Sequence, residues 1–240
     1  MNNELTDRNY WATYWANYQY EKVPSNTIYD YLMPSLKGKS SFIEIGGFPG
    51  INAAYFYKNG FPDVTLLDFY IDRSIVSTFE QLNNLPQNKI HCIESDFFKF
   101  ESDRTYDVVF SLGFIEHFED TQAVIERHVK LLSDNGRLLI ILPNFRGING
   151  CIQWLFDRKN LRLHNLESMK IDKLKAIMAQ IPLSKWTIDY SRKPMVWLEP
   201  KPGIRYKLWR PVIRLFSHFL KLFPIKCRLL SPYIMIYAER

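Results

Sequence analysis

The nine residues FIEIGGFPG, Phe42 to Gly50, decide the fold. A short apolar run carries the acidic Glu44, and Gly46, Gly47 and Gly50 follow before the helix-like INAAYFYKNG. A strand, a glycine-rich turn and a helix in that order make a nucleotide-cradling loop, because glycine reaches positive φ and lets a ligand approach the backbone. Phe48 stands in mid-turn, where such loops usually need glycine. A β-carbon there would crowd a ligand on the usual backbone path. Gly47 and Pro49 are therefore expected to reshape the turn, with Gly47 taking the strained conformation and the phenyl ring directed away.

Outward from this loop, strand-like runs at 41–45, 64–68, 89–95, 106–112, 136–142, 186–190 and 233–239 alternate with helical patterns at 51–60, 71–84, 120–132 and 171–180. GRLLIIL closes at Pro143, which cannot continue a central strand. This is the pattern of an α/β fold, a doubly wound, mostly parallel seven-stranded sheet with helices on both faces. Residues 41–192 are expected to form its core and 231–240 its last strand. Residues 1–40 read as an aromatic N-terminal helical lid and 193–230 as a basic amphipathic insertion. In the lid, Tyr10, Trp11, Tyr14, Trp15 and Tyr18 fall at helical spacing. Such rings either pack a helix on the core or wall a pocket for a purine or sugar.

Ligands of open α/β sheets lie beyond the carboxyl ends of the strands. Asp68 ends the second strand, where a carboxylate can accept two hydrogen bonds from ribose hydroxyls. Asp96 and Phe97 follow the third, an acid suited to an adenine amine and a ring to line its face. Leu112, Gly113 and the segment to Phe118 follow the fourth. The loop alone would also suit a nicotinamide enzyme, but GxGxxG is absent and nothing offers hydride chemistry.

With these residues the chain resembles the class I S-adenosylmethionine-dependent methyltransferases, over roughly residues 8–190 plus the final strand. The first motif of that family, an acid, any residue, then three glycines at alternate positions, is matched by Glu44, Gly46 and Gly50, with Phe48 at the middle glycine. The resemblance implies a Rossmann-like methyltransferase fold with an antiparallel last strand, and S-adenosylmethionine as cofactor. It assigns Glu44, Gly46, Gly47 and Gly50 to the methionine end, Asp68 to the ribose, and Asp96 with Phe97 to the adenine, with Leu112 completing the set. GFIEHFED, 113–120, looks like the segment after the fourth strand in small-molecule members.

The sulfonium is already activated, so the protein mainly aligns the nucleophile, and a hydroxyl acceptor gains from a general base. His117 is the leading candidate and His164 the second; each also has a structural reading, as a turn or cap histidine. Glu116, His117, Glu119 and Asp120 cluster without a metal-ligand spacing, so no metal is expected. The Asn-Pro-Pro-Tyr type of motif used on flipped bases is missing after the fourth strand, which speaks against nucleic acid as substrate.

From Lys201 to Arg240 nine Lys/Arg accompany Glu239 alone, so the +6 net charge of the chain belongs to this segment. Within 205–223, Trp209, Val212, Ile213, Phe216, Phe219, Leu220 and Phe223 form an apolar stripe, with Lys207, Arg210, Arg214, His218 and Lys221 largely opposite. Such a helix lies in an anionic membrane interface or packs on its own core or a dimer partner. The membrane reading makes a lipid-linked glycan an attractive acceptor. The ending SPYIMIYAER looks like family members of bacterial surface-polysaccharide synthesis. Cys92, Cys151 and Cys227 are scattered and read as reduced thiols, which with MNNELTDRNYW lacking a signal-peptide pattern suggests a cytoplasmic protein, peripheral at the inner face if the helix meets lipid. The expected function is methyl transfer to a small molecule or glycan at oxygen. Its competitors are a catalytically silent cofactor-binding or scaffold domain, and an RNA-binding methyltransferase-like module.

Overall fold

The computed structural model describes residues 7–16, 18–198, 203–222 and 225–240. The remaining residues of the expected lid, and Phe223 of the apolar stripe, lie outside the described residues. Seven strands form one sheet: β1 (Ser41–Ile45), β2 (Asp63–Asp68), β3 (Ile90–Glu94), β4 (Tyr106–Leu112), β5 (Leu132–Pro143), β6 (Lys185–Tyr190) and β7 (Tyr233–Glu239). Their order is β3-β2-β1-β4-β5-β7-β6, and β7 runs antiparallel to both of its neighbours. The parallel strands are covered on both faces, which is why they read as near-continuous apolar runs without strict alternation.

Among the described residues, eight α-helices surround the sheet: α1 (Arg8–Trp15), α2 (Ile51–Lys58), α3 (Arg73–Leu82), α4 (Thr121–Lys130), α5 (Ile148–Phe156), α6 (Arg158–Leu161), α7 (Ile171–Met178) and α8 (Ile204–Leu220). Successive strand residues point to opposite faces. Phe42, Leu66, Val108 and Phe110 therefore join Phe56 of α2 and Phe79 of α3 in one core. Ile43, Ile45, Val109 and Ile140 join Val124 of α4 and Leu174 of α7 in the other. Asp72 caps α3 by accepting from Ser74 and Ile75 N–H, and Asp120 caps α4 through Ala123 N–H.

Two elements depart from the sequence reading. β5 begins at Leu132, four residues before the expected 136, through a register shift against β4 between Tyr106 and Val108. The segment between Pro143 and α7 folds into α5 and α6, whose mixed pattern around Gly147 and Gly150 gave no clear periodicity. A third, small core of Ile152, Val196, Leu198, Ile213 and Leu220 fastens α8 to α5.

The strand order reverses between β1 and β4. The loops leaving these two strands diverge to opposite faces and open a crevice at their carboxyl ends.

Candidate active site

The crevice holds a cavity walled by Gly46 after β1, Asp68 and Phe69 after β2, Ser95 and Phe97 after β3, and Gly113, Phe114, His117 and Phe118 after β4. Trp11 and Trp15 of α1 supply the remaining aromatic wall. Helix α1 is docked there by an Arg8–Glu94 ion pair of 2.5 Å and by edge contacts of Trp15 with Phe48 and Trp11 with His117, at 5.2 and 5.4 Å between centroids. Four strand ends and α1 thus converge on one space.

Gly46 has φ +67°, and a β-carbon on it would lie 2.1 Å from the Phe114 ring, so backbone alone fits this wall. Asp68 accepts from Phe48 N–H at 2.9 Å and Tyr70 N–H at 3.2 Å, one to each oxygen. Each oxygen keeps a further lone pair for a ligand hydroxyl. Burial pushes the Asp68 carboxyl up to about 6, against the pull of these backbone donors.

A second constellation adjoins the same cavity. His117 lies on a short 3-10 helix, Ile115–His117, and its Nδ1 is 3.1 Å from Leu163 O. Asn165 anchors the facing segment: its N–H donates to Glu116 O at 2.7 Å, and its amide donates to Phe118 O and Glu119 O at 2.9 and 3.1 Å. His164 is thereby placed with its ring centroid 4.7 Å from that of His117, and its Nδ1 lies 2.8 Å from Asn160 O. Because a carbonyl only accepts, each Nδ1 carries the proton and each Nε2 the lone pair. Burial, with His164 nearby, holds His117 down to about 3. Glu116 is 1% exposed and is pushed up to about 8 by burial, and its Oε2 has no donor among the described residues.

Residues 14–183, most of the chain, match the methyltransferase domain family. The chain belongs to that family, as a class I S-adenosylmethionine-dependent methyltransferase. The ubiquinone biosynthesis O-methyltransferase of Rickettsia akari is 32% identical over 107 residues, 44% of this chain and 41% of that protein. The match thus spans less than half of that relative's length. A methyltransferase structure from Archaeoglobus fulgidus superposes with a TM-score of 0.57 at 16% identity, covering 88% of this chain and 91% of that one. The plantazolicin methyltransferase BpumL, crystallised with SAH, gives 0.56 at 15% identity over 89% and 81%. At these identities the superpositions speak to the fold.

The methyltransferase cavity fits its cofactor. Gly46 offers bare backbone, Asp68 a carboxylate with open acceptor sites, and Phe97 and Phe69 flat apolar walls. Of the residues singled out by sequence, Gly46, Asp68, Phe97 and His117 meet on the wall. Glu44 does not. It sits behind the loop, accepting from Asn52 Nδ2 at 2.6 Å and Ala53 N–H at 2.8 Å, and so holds the first turn of α2. Gly47 packs directly on it, where a β-carbon would fall 2.0 Å from Glu44 Oε1. Gly50 caps α2 with φ +97°, so the strained conformations belong to Gly46 and Gly50, and not to Gly47 as expected. Asp96 accepts from Phe98 N–H at 2.8 Å and pairs with Lys99, leaving its neighbour Ser95 on the wall; Gly113, likewise, lines the cavity where Leu112 does not. Glu119 and Asp120 are exposed and stay out of the His117 cluster. The Phe48 ring is 3% exposed between Trp15 and Tyr70, off the cavity wall as expected, and its N–H fixes Asp68. Asn165 was not legible as a site residue, since its part is to hold two distant segments together.

Proposed function

We propose that this methyltransferase transfers the methyl group of S-adenosylmethionine to a hydroxyl oxygen of a small molecule or glycan, with the acceptor activated at His117, His164 and Glu116. The observation that carries this reading is that His117 lines the same cavity as Asp68, so a group placing the nucleophile and a group placing the cofactor face one space. The partial likeness to an O-methyltransferase supports oxygen as the receiving atom. Glu44, Gly47, Gly50 and Asp96 act one layer back, shaping the loops that present Gly46, Asp68 and Phe97. The silent-domain alternative leaned on Phe48 obstructing the loop, and a ring packed off the cavity wall removes its main support. Purified chain supplied with methyl-labelled S-adenosylmethionine should label phenolic or sugar hydroxyls in an acceptor panel. Label found solely on nitrogen or carbon acceptors would refute the oxygen assignment.

Helix α8 supports a reading of partner and location. Ile213, Ser217 and Leu220 face the chain, while Ile204, Leu208, Val212, Leu215, Phe216 and Phe219 form an exposed apolar side. The expected stripe is therefore split: Ile213 and Leu220 are buried, and Trp209, which touches Phe156, and Phe216 are exposed. Lys207, Arg210, Arg214 and Lys221 make a third side, exposed and basic. Trp154 and Leu155 of α5 are exposed too. No helix among the described residues is long and apolar enough to cross a membrane. An apolar side flanked by a basic one suits the plane of an anionic lipid surface, with the charged side at headgroup level. This supports a peripheral membrane location at the cytoplasmic face and a lipid-linked glycan, as in polysaccharide biosynthesis, as acceptor. The chain should co-sediment with phosphatidylglycerol vesicles and be released by Arg210→Glu with Arg214→Glu, since each basic residue contributes about 1 kcal/mol at such a surface. Retention by vesicles after the double reversal would exclude the electrostatic part, and binding to RNA in place of vesicles would favour the nucleic-acid reading.

A further inference from the structure

The geometry points to a divalent-cation site formed by Glu116, His117 and His164, which would coordinate the acceptor oxygen; that last role rests on the methyl-transfer reading above. One ligand atom from each of the three residues lies within 4.8 Å of the others. Ligand atoms around a tetrahedral ion at about 2.0–2.2 Å stand about 3.3–3.6 Å apart, so side-chain rotations that draw the three together would close the site. Chain spacing concealed it, because the third ligand comes from the far side of α5 and α6 and is brought in by Asn165.

The cluster brings two ring nitrogens and one unpartnered carboxyl oxygen together. Each imidazole donates its Nδ1 proton to a backbone carbonyl, His117 to Leu163 and His164 to Asn160. That second-sphere bond fixes the tautomer with the Nε2 lone pair available, as in metal-ligating histidines. Glu116 Oε2 is buried and meets no donor among the described residues. Buried acceptors are normally satisfied, and an unpartnered Glu116 oxygen beside two imidazoles calls for a shared electrophile. A cation between them would satisfy all three at once.

Two imidazoles and one carboxylate suit a borderline ion such as Zn²⁺ better than Mg²⁺ or Ca²⁺, which favour all-oxygen ligands. Three protein ligands leave a position open, and His117 borders the cavity in which the acceptor would lie. A hydroxyl bound there becomes more acidic and loses its proton to water. Its oxygen then takes the methyl group as the methyl carbon–sulfur bond breaks, and the sulfonium becomes a neutral thioether.

The test uses the full chain, stripped with chelator, in a Cys151→Ser/Cys227→Ser background so that accessible thiols do not compete. Titration with Zn²⁺ should show one saturable site per chain, and Co²⁺ in its place should give the visible d–d bands of a low-coordinate centre. Both signals should be lost in the near-isosteric Glu116→Gln, and also in His164→Ala. Absence of saturable binding in the parent, or binding and spectra retained in the two variants, overturns the site. Methyl transfer that continues in excess chelator with no metal bound overturns it while leaving the oxygen-transfer reading intact. Stoichiometric Zn²⁺ lost in both variants, with no acceptor hydroxyl ever labelled, supports the site and defeats that reading instead.

Discussion

Replacing Asp68 with alanine is expected to weaken S-adenosylhomocysteine binding by a factor of a few hundred, read by calorimetry. Two hydrogen bonds from ribose hydroxyls to a carboxylate are lost, each worth about 1.5–3 kcal/mol, and part is recovered as water enters. Asp68 also receives Phe48 and Tyr70 N–H, so the variant loosens the loop as well as the contact. Asp68→Asn, which keeps one acceptor oxygen, should fall between the two. The same carboxyl predicts a pH dependence. Burial raises it to about 6, so protonation below that value removes the charged acceptor. Affinity should then fall about tenfold for each pH unit below 6 and stay flat above it, while Asp68→Asn should show no such slope. An unchanged affinity in Asp68→Ala would place the cofactor elsewhere.

His117→Ala should lower kcat by about 10²–10⁴-fold, the range for losing a group that activates the acceptor hydroxyl, whether as base or as ligand of a bound cation. S-adenosylhomocysteine affinity should stay close to that of the parent if, as proposed, the cofactor is held by Gly46, Asp68 and Phe97. The split between kcat and cofactor binding separates a reacting role from a wall role: a variant that loses affinity while keeping kcat would make His117 only a wall. The parent should keep its activity at neutral pH without an imidazole titration near 6.5. Burial already holds His117 down to about 3, so the ring is neutral throughout that window.

The sequence by itself determined the sheet and the place of its crevice. Runs such as SFIEI and YDVVFSL are mostly apolar because both of their faces are buried, and that pattern is local. Asp68 and Gly46 were legible for the same reason, since a residue that ends a strand or begins its turn has its position set by its own neighbours. What a side chain faces is another matter. Glu44 looked like a cofactor contact and instead turns under the loop to Asn52 and Ala53, because α2 docks over it. The Phe48 ring was expected to turn away from the loop, but what it packs on was not legible: Trp15 of α1 and Tyr70 of the loop after β2 close around it. His164 acquires its partner only when Asn165 bonds to Glu116, Phe118 and Glu119, a contact spanning more than forty residues of chain. Strand pattern and turn chemistry are carried by short stretches of backbone. The pairing of His117 with His164, the orphaned Glu116 oxygen and the division of α8 into packed, apolar and basic sides arise from docking of whole elements, which only tertiary packing decides.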